Sequence, residues 1–201
     1  MMQQGGGVPL REVSTLTATN GAYLLTGMNS DYNLKIEIYN VYISGNYALG
    51  ALLLSPLVRY HKSSHGMWIG ANGQRNISYI FNNSVREYFA ISPYESYYQI
   101  DNNVTQLTWN NFDCETEFGL FVRVYNNGQG SISYNDTGVG KMGRCRMERL
   151  GVIRDYVPAV CTSPIVNVRG VLVPAGTAGM WNKTDDTFWT SDGSVEFGYI
   201  E

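Results

Sequence analysis

Arg154-Asp155-Tyr156-Val157-Pro158-Ala159-Val160 sets an arginine, an aspartate and an aromatic against a proline inside an apolar run. Further on, AGMWNKTDDTFWTSDGSVEF from Ala178 to Phe197 places Trp181, Phe188 and Trp189 among small polar residues. Charged groups beside large apolar ones mark either a catalytic site or a seam where a chain closes on itself. The rest of the sequence decides between the two.

Outward from this stretch the chain reads as strands and turns. Leu34-Lys35-Ile36-Glu37-Ile38-Tyr39 alternates apolar and polar residues with period two, the pattern of a half-buried strand. Ile77–Phe81, Tyr97–Ile100, Phe118–Tyr125 and Val166–Val173 are further β-rich runs. Asn20-Gly21, Asn72-Gly73 and Asn127-Gly128 punctuate them, because both residue types tolerate positive φ. The best helical candidate, Ser84–Ala90, is a short one. Many short strands, regular turns and no sustained helical period predict an all-β protein, an antiparallel β-sandwich of jelly-roll type. A flexible arm is expected over residues 1–10 and one domain over 11–201.

Composition narrows the function classes. Net charge is −3 with only 15% charged residues, which gives no basic footprint for nucleic acid. The longest apolar run, Tyr47–Val58, contains Gly50, Ser55 and Pro56 and falls short of the roughly 20 residues of a membrane helix, so no membrane insertion is expected. MMQQGGGVPL has neither a basic start nor an apolar h-region, so synthesis in a cytoplasm without export is expected. Cys114, Cys145 and Cys161 have no metal-ligand spacing and read as reduced and structural. No metal or cofactor is implied. A surface of Asn, Ser, Thr, Gly and Tyr suits sugars, protein contacts or a particle coat.

Three constellations bear on chemistry. His61 and His65 stand four apart, but Pro56 and the Ser63-Ser64-His65-Gly66 run argue for a loop rather than a metal-binding helix. Asp113, Glu115 and Glu117 would share one face of a strand at a spacing suited to glycoside hydrolysis. Their Asp-x-Glu-x-Glu order departs from the Glu-x-Asp-x-Glu of sandwich-fold glucanases, so no catalytic role is assigned. Trp68 and Trp109 lie outside obvious alternating strands. They read either as flat contact faces for a sugar or a partner, or as ordinary core packing.

Arg154 to Ala159, then Gly179-Met180-Trp181-Asn182, Thr184, Phe188-Trp189, Gly193 and Phe197, resemble the C-terminal signature of concanavalin A-like, laminin G-like sandwich domains of phage virion and tail proteins. Asn20-Gly21-Ala22-Tyr23-Leu24-Leu25-Thr26-Gly27 is similar to their N-terminal opening, and a strand like Lys35-Ile36-Glu37-Ile38 follows there too. Two departures are Asn182 in place of the usual aspartate and a long insertion from Cys161 to Thr177. The insertion holds an apparent added strand, Val166–Val173, free to pair with a partner.

The resemblance implies that RDYVPAV is a structural seam. Pro158, lacking an N–H, would end a strand that Tyr156 and Val157 anchor. Arg154 and Asp155 would hydrogen-bond the closing segment in which Trp181, Phe188 and Trp189 pack. It further implies a non-enzymatic virion component, made in the host cytoplasm and acting at the surface, as a decoration, or with a fibre or tail. Its implied partners are other virion proteins, further copies of itself and a cell-surface glycan. The alternatives are a carbohydrate-binding module of a bacterial surface protein and, resting only on Asp113, Glu115 and Glu117, a glycoside hydrolase.

Overall fold

The computed structural model describes residues 9–44, 49–53, 58–63, 66–71, 75–77, 84–135 and 137–201. Strands and turns make up all of its regular structure among these residues. In chain order the strands are β1 (Leu10–Glu12), β2 (Thr15–Ala18), β3 (Leu24–Asp31), β4 (Leu34–Ile43), β5 (Gly50–Leu53), β6 (Val58–Ser63), β7 (Gly66–Ala71) and β8 (Arg75–Ile77). Next come β9 (Arg86–Ser92), β10 (Tyr97–Ile100), β11 (Asn103–Gln106), β12 (Asp113–Leu120), β13 (Arg123–Asn126), β14 (Ile132–Asn135) and β15 (Gly140–Met142). The chain ends with β16 (Cys145–Arg149), β17 (Val152–Cys161), β18 (Ile165–Val166), β19 (Leu172–Val173), β20 (Ala178–Asn182), β21 (Thr187–Trp189) and β22 (Gly198–Ile200).

The main sheet has 12 strands, with the path β11-β10-β9-β4-β16-β17-β20-β21 and with β1, β2, β15 and β22 paired off it. A 6-stranded sheet runs β14-β13-β5-β6-β7-β8, and the β3–β12 and β18–β19 pairs stand separately. Among the described pairings only β5 with β13 is parallel. Side chains of the main sheet, among them Ile36, Ile38, Phe89 and Met147, share one core with Ala51, Tyr60, Ile69 and Phe118 from the other layer. The Tyr60 hydroxyl ties the layers further, donating to the Leu34 carbonyl at 3.0 Å.

β4 shows how the pattern becomes structure. Leu34, Ile36 and Ile38 face the core, then the inward set continues at Val41 and Ile43. The change of phase falls at Asn40, which has φ 49° and is skipped in the pairing between Tyr39↔Tyr88 and Val41↔Arg86. A bulge at a residue that tolerates the left-handed region keeps both halves of the strand apolar-side-in.

The RDYVPAV stretch lies within β17, in contact with both β3 and the closing segment. Tyr156 is fully buried, stacks edge-on against Trp189 at 5.7 Å, and donates its hydroxyl to the Thr26 carbonyl at 2.8 Å. The Asp155 main chain donates to the Asn182 side-chain oxygen at 3.0 Å and accepts from Lys183 N at 2.8 Å. Arg154 meets the closing segment by stacking, its guanidinium 5.0 Å from the Trp189 ring, while the Asp155 carboxylate pairs with Arg144. Asn182 accepts from Asp155 N and Thr184 N through its oxygen, the atom it has in common with aspartate. Gly193 has no alternative, since a Cβ there would lie 1.7 Å from the Gly21 carbonyl oxygen.

Pro158 does not end a strand. It sits inside β17, opposite Met180 of β20. In an antiparallel strand a residue's N and C=O point to the same edge, and the Pro158 carbonyl accepts from Val13 N at 3.0 Å. Along that edge of β17 the pairing with β16 stops at Tyr156, opposite Cys145, and the pairing with β1 begins at Ala159, opposite Glu12. No ladder bond is required of the proline nitrogen at this changeover.

Other expectations change in detail. Phe118–Tyr125 is two strands, β12 and β13, because Phe121 turns the chain at φ 60°. Ser84–Ala90 runs into β9 rather than a helix. Ile77 closes β8, while the rest of the Ile77–Phe81 run and Asn72-Gly73 lie outside the described residues. Leu10 already belongs to the sheet as β1, and residues 1–8 lie outside the described set.

Val166–Val173 is not a single added strand but a hairpin, β18 and β19, pairing with itself. It covers a second, smaller core of Ala159, Cys161, Val173 and Phe188, against which Leu10, Ile165 and Trp181 also pack. Successive residues of the closing segment therefore serve opposite faces of the sheet: Phe188 fills this small core and Trp189 the main one.

Candidate functional site

β4 lies between β9 and β16 and runs antiparallel to both, with Ile36 opposite Ile91 and Leu34 opposite Arg149. The start of β4 therefore lies beside the ends of β9 and β16. Three connections from distant parts of the chain meet there: Tyr32-Asn33, Pro93–Ser96 and Leu150-Gly151. Each has its own turn chemistry. Asn33 N donates to the Asp31 carboxylate at 2.9 Å, Glu95 N to the Ser92 hydroxyl at 3.2 Å, and Ser96 N to the Pro93 carbonyl at 3.1 Å. Leu150 and Gly151 have φ 50° and 81°, the two positive values of a tight hairpin turn.

Between these turns lies an open cleft of about 290 Å³, lined by Asn33, Lys35, Ser92, Tyr94, Glu95, Glu148, Leu150 and Gly151. Tyr94 and Leu150 are each 68% exposed, far more than most apolar side chains nearby, and Tyr94 meets Tyr32 edge-on at 6.2 Å. The polar groups are held in place. Lys35 Nζ lies 2.9 Å from Glu95 Oε2, and Arg146 bridges Glu148 at 3.0 Å and Glu37 at 2.9 Å. The nearly buried Asp31 carboxylate receives Arg149 at 2.6 Å and fixes the base of the adjoining turn.

Partial burial works against the Lys35 ammonium, but hydrogen bonds with Glu95 and Tyr97 outweigh it and raise its pKa. The hydrogen bond from Lys35 in turn holds the Glu95 carboxyl below its ordinary value, while burial pushes the Tyr97 phenol up. The cleft thus offers fixed charges, amide and hydroxyl groups and an exposed ring.

Trp68 is half-buried in β7, and Trp109 is 4% exposed within the main core, its indole N–H without a hydrogen-bond partner. Trp109 is therefore core packing, and neither tryptophan lines the cleft. His61 lies in β6 with its side chain outside the described residues, as is His65 altogether. The three buried cysteines form no disulfide, and burial pushes the Cys145 and Cys161 thiols up. Among the described residues no group of three or more His, Cys, Asp or Glu side chains could hold a metal ion. No helix among them is long and apolar enough to cross a membrane.

The acidic strand carries a structural task. β3 and β12 lose register between Glu117↔Asn29 and Gly119↔Leu25, where Gly27 has φ 66°. Side chains replace the missing ladder bonds: Glu117 Oε2 accepts from Gly27 N at 2.8 Å, and the Thr26 hydroxyl donates to the Phe118 carbonyl at 2.7 Å. Asp113 accepts from Glu115 N at 2.7 Å, where Glu115 has φ 52°.

Sequence reasoning missed Tyr94, Glu95 and Leu150. The only local signal was Ser92-Pro93-Tyr94-Glu95-Ser96, a turn that places an aromatic directly after its proline.

Comparison with known proteins finds no matching family model, no matching curated protein and no matching solved structure.

Proposed function

We propose that the protein is a non-enzymatic component of a phage particle, a surface, decoration or fibre-associated protein that works by attachment. The observation supporting this reading is the seam. The residues on which the resemblance to concanavalin A-like, laminin G-like virion domains rests come from opposite ends of the chain. They meet in one closure, Tyr156 on Thr26 and Gly193 against Gly21, and beside Gly193 the Asp192 carboxylate, outside the signature, accepts from Leu25 N at 2.7 Å. A signature that assembles physically is stronger support than scattered identities. On this reading the protein is made in the host cytoplasm and resides in the virion. Its partners there are other virion proteins and further copies of itself, and its outward target is a cell-surface glycan.

The cleft at the sheet end equally suits a carbohydrate-binding module of a bacterial surface protein, and one experiment separates the two. Particles purified from a producing culture by density gradient are analysed by mass spectrometry, and antibody raised against the domain is imaged on them by electron microscopy. The protein is expected in the particle band at a constant copy number per particle. Its absence from particles, with antibody labelling of the bacterial envelope instead, overturns the virion reading.

A further inference from the structure

We propose that the cleft between the Tyr32-Asn33, Pro93–Ser96 and Leu150-Gly151 turns binds the terminal neutral sugar of a glycan, with Tyr94 as its stacking face. This rests on the attachment reading above and gives it a site and a ligand class.

Four observations carry the inference. The first is the pairing of an exposed aromatic with fixed polar groups. A sugar ring has an apolar C–H face and a rim of hydroxyls. Tyr94 supplies a flat apolar face, and Asn33, Lys35, Glu95 and Glu148 supply donors and acceptors around it. The second is preorganisation. Glu95 and Glu148 are each held by a cation, at 2.9 Å and 3.0 Å, and a carboxylate retains lone pairs beyond the one its cation uses. Hydroxyls can then be met with little further ordering of side chains.

Size is the third observation. At about 290 Å³ the cleft is near the lower end of the roughly 300–1,000 Å³ usual for ligand sites, which suits an end residue better than a threaded chain. Charge is the fourth. Two cations, Lys35 and Arg146, stand against three carboxylates, Glu95, Glu148 and Glu37, so an acidic sugar meets one excess negative charge and a neutral one does not.

A second cleft lies at Glu115, Glu117, Ile132 and Tyr134. It is the weaker candidate because the Tyr134 ring is already stacked on Tyr23 at 5.6 Å, whereas Tyr94 meets Tyr32 only edge-on.

The test uses the full chain, fluorescently labelled, on an array of immobilised oligosaccharides ending in neutral hexoses or N-acetylhexosamines, beside their sialylated counterparts. Wild type, Tyr94→Ala and Tyr134→Ala are compared. Both tyrosines are substantially exposed, and a far-UV circular dichroism spectrum confirms that each variant is folded. Wild type is expected to bind a subset of neutral termini and to lose them on sialylation. Tyr94→Ala should weaken that binding about tenfold or more, the scale of one lost aromatic stack and its burial, and Tyr134→Ala should leave it unchanged. Loss in Tyr134→Ala with retention in Tyr94→Ala overturns this site while leaving glycan attachment standing. Preference for sialylated termini overturns the ligand class. Binding to none of the array overturns the glycan proposal, and particle analysis then decides the attachment reading separately.

Discussion

The Tyr156 hydroxyl donates to the Thr26 carbonyl at 2.8 Å, both residues fully buried, and joins the middle of β17 to the point where β3 loses register with β12. The hydrogen bond takes the place of one that the ladder does not provide. Tyr156→Phe keeps the ring against Trp189 and removes this bond together with the longer one that the hydroxyl accepts from Arg154 Nη1 at 3.5 Å. It is expected to lower stability by about 1–3 kcal/mol, the cost of leaving a buried carbonyl without its donor. Urea denaturation with an unchanged slope and a lower midpoint is the expected result. An unchanged midpoint would mean that the Thr26 carbonyl finds another donor.

Glu117 separates structure from chemistry in the same region. Its carboxylate accepts from Gly27 N, which is on the exposed side of the strand, so water can partly replace it. Glu117→Gln retains an acceptor oxygen and is expected to be nearly neutral, while Glu117→Ala costs about 1 kcal/mol. Neither should alter hydrolysis of β-glucans, because wild type is expected to show none. Wild-type turnover abolished in both Glu115→Gln and Glu117→Gln would make these carboxylates catalytic.

How much of this was legible depended on the range of the cause. The alternation of Leu34–Tyr39 and the run Tyr97–Ile100 are local patterns, and both appear as strands at those positions. The apolar run Phe118–Tyr125 misled because composition hides backbone angle: Phe121 is fully buried yet lies at φ 60°, so a turn looks like strand interior. Pro158 misled for a similar reason, since what permits it is the neighbour missing on one edge of β17. The packing of Tyr156, Trp181, Phe188 and Trp189 was legible because they are bulky residues with few places to go but a core. The cleft was not, because its walls come from turns far apart in sequence that meet only once β9, β4 and β16 are side by side. Leu150 gave no warning, being an apolar residue at an exposed left-handed position that glycine or asparagine would more often occupy.

Lys62 predicts a pH-dependent gain. It is 1% exposed in β6, and burial lowers its pKa from 10.5 to about 8. The unfolded chain therefore binds the proton more tightly than the folded one. The resulting penalty is fully present below pH 8 and fades as pH rises towards 10.5. At about 1.4 kcal/mol per pH unit the penalty is on the order of 3 kcal/mol, an upper bound. Lys62→Met is expected to raise the thermal midpoint at pH 7, by less than that bound because the side chain's present interactions are lost. The advantage should shrink steadily between pH 8 and 10.5. A gain that is constant across this range would show that packing, not charge, is responsible.

The hairpin of β18 and β19 makes the last prediction. Its inner side is built in: Val173 and Phe188 share the small core, Asn167 donates its amide to Thr190 at 2.9 Å, and Val168 N reaches the Phe188 carbonyl at 2.9 Å. The Asn167 side-chain oxygen also accepts from Arg169 N and Val171 N at 3.0 Å each, which shapes the turn. The outer side is apolar and open, with Val166, Val171 and Leu172 between 55% and 68% exposed. Removing residues 163–176 strips the cover from Phe188, Ala159 and Cys161. Its cost should approach the roughly 3–5 kcal/mol of deleting a buried aromatic, a large part of a total stability of roughly 5–15 kcal/mol. Asn167→Ala should give an intermediate loss of about 1–3 kcal/mol. Val166→Thr, Val171→Thr and Leu172→Ser together touch only the outer side, and each should change stability by no more than about 0.5 kcal/mol. Urea midpoints for the three proteins are expected in that order, with the deletion lowest. A deletion variant as stable as wild type would show that the small core contributes nothing to the fold. A large loss in the outer triple variant would mean that those side chains are packed rather than open.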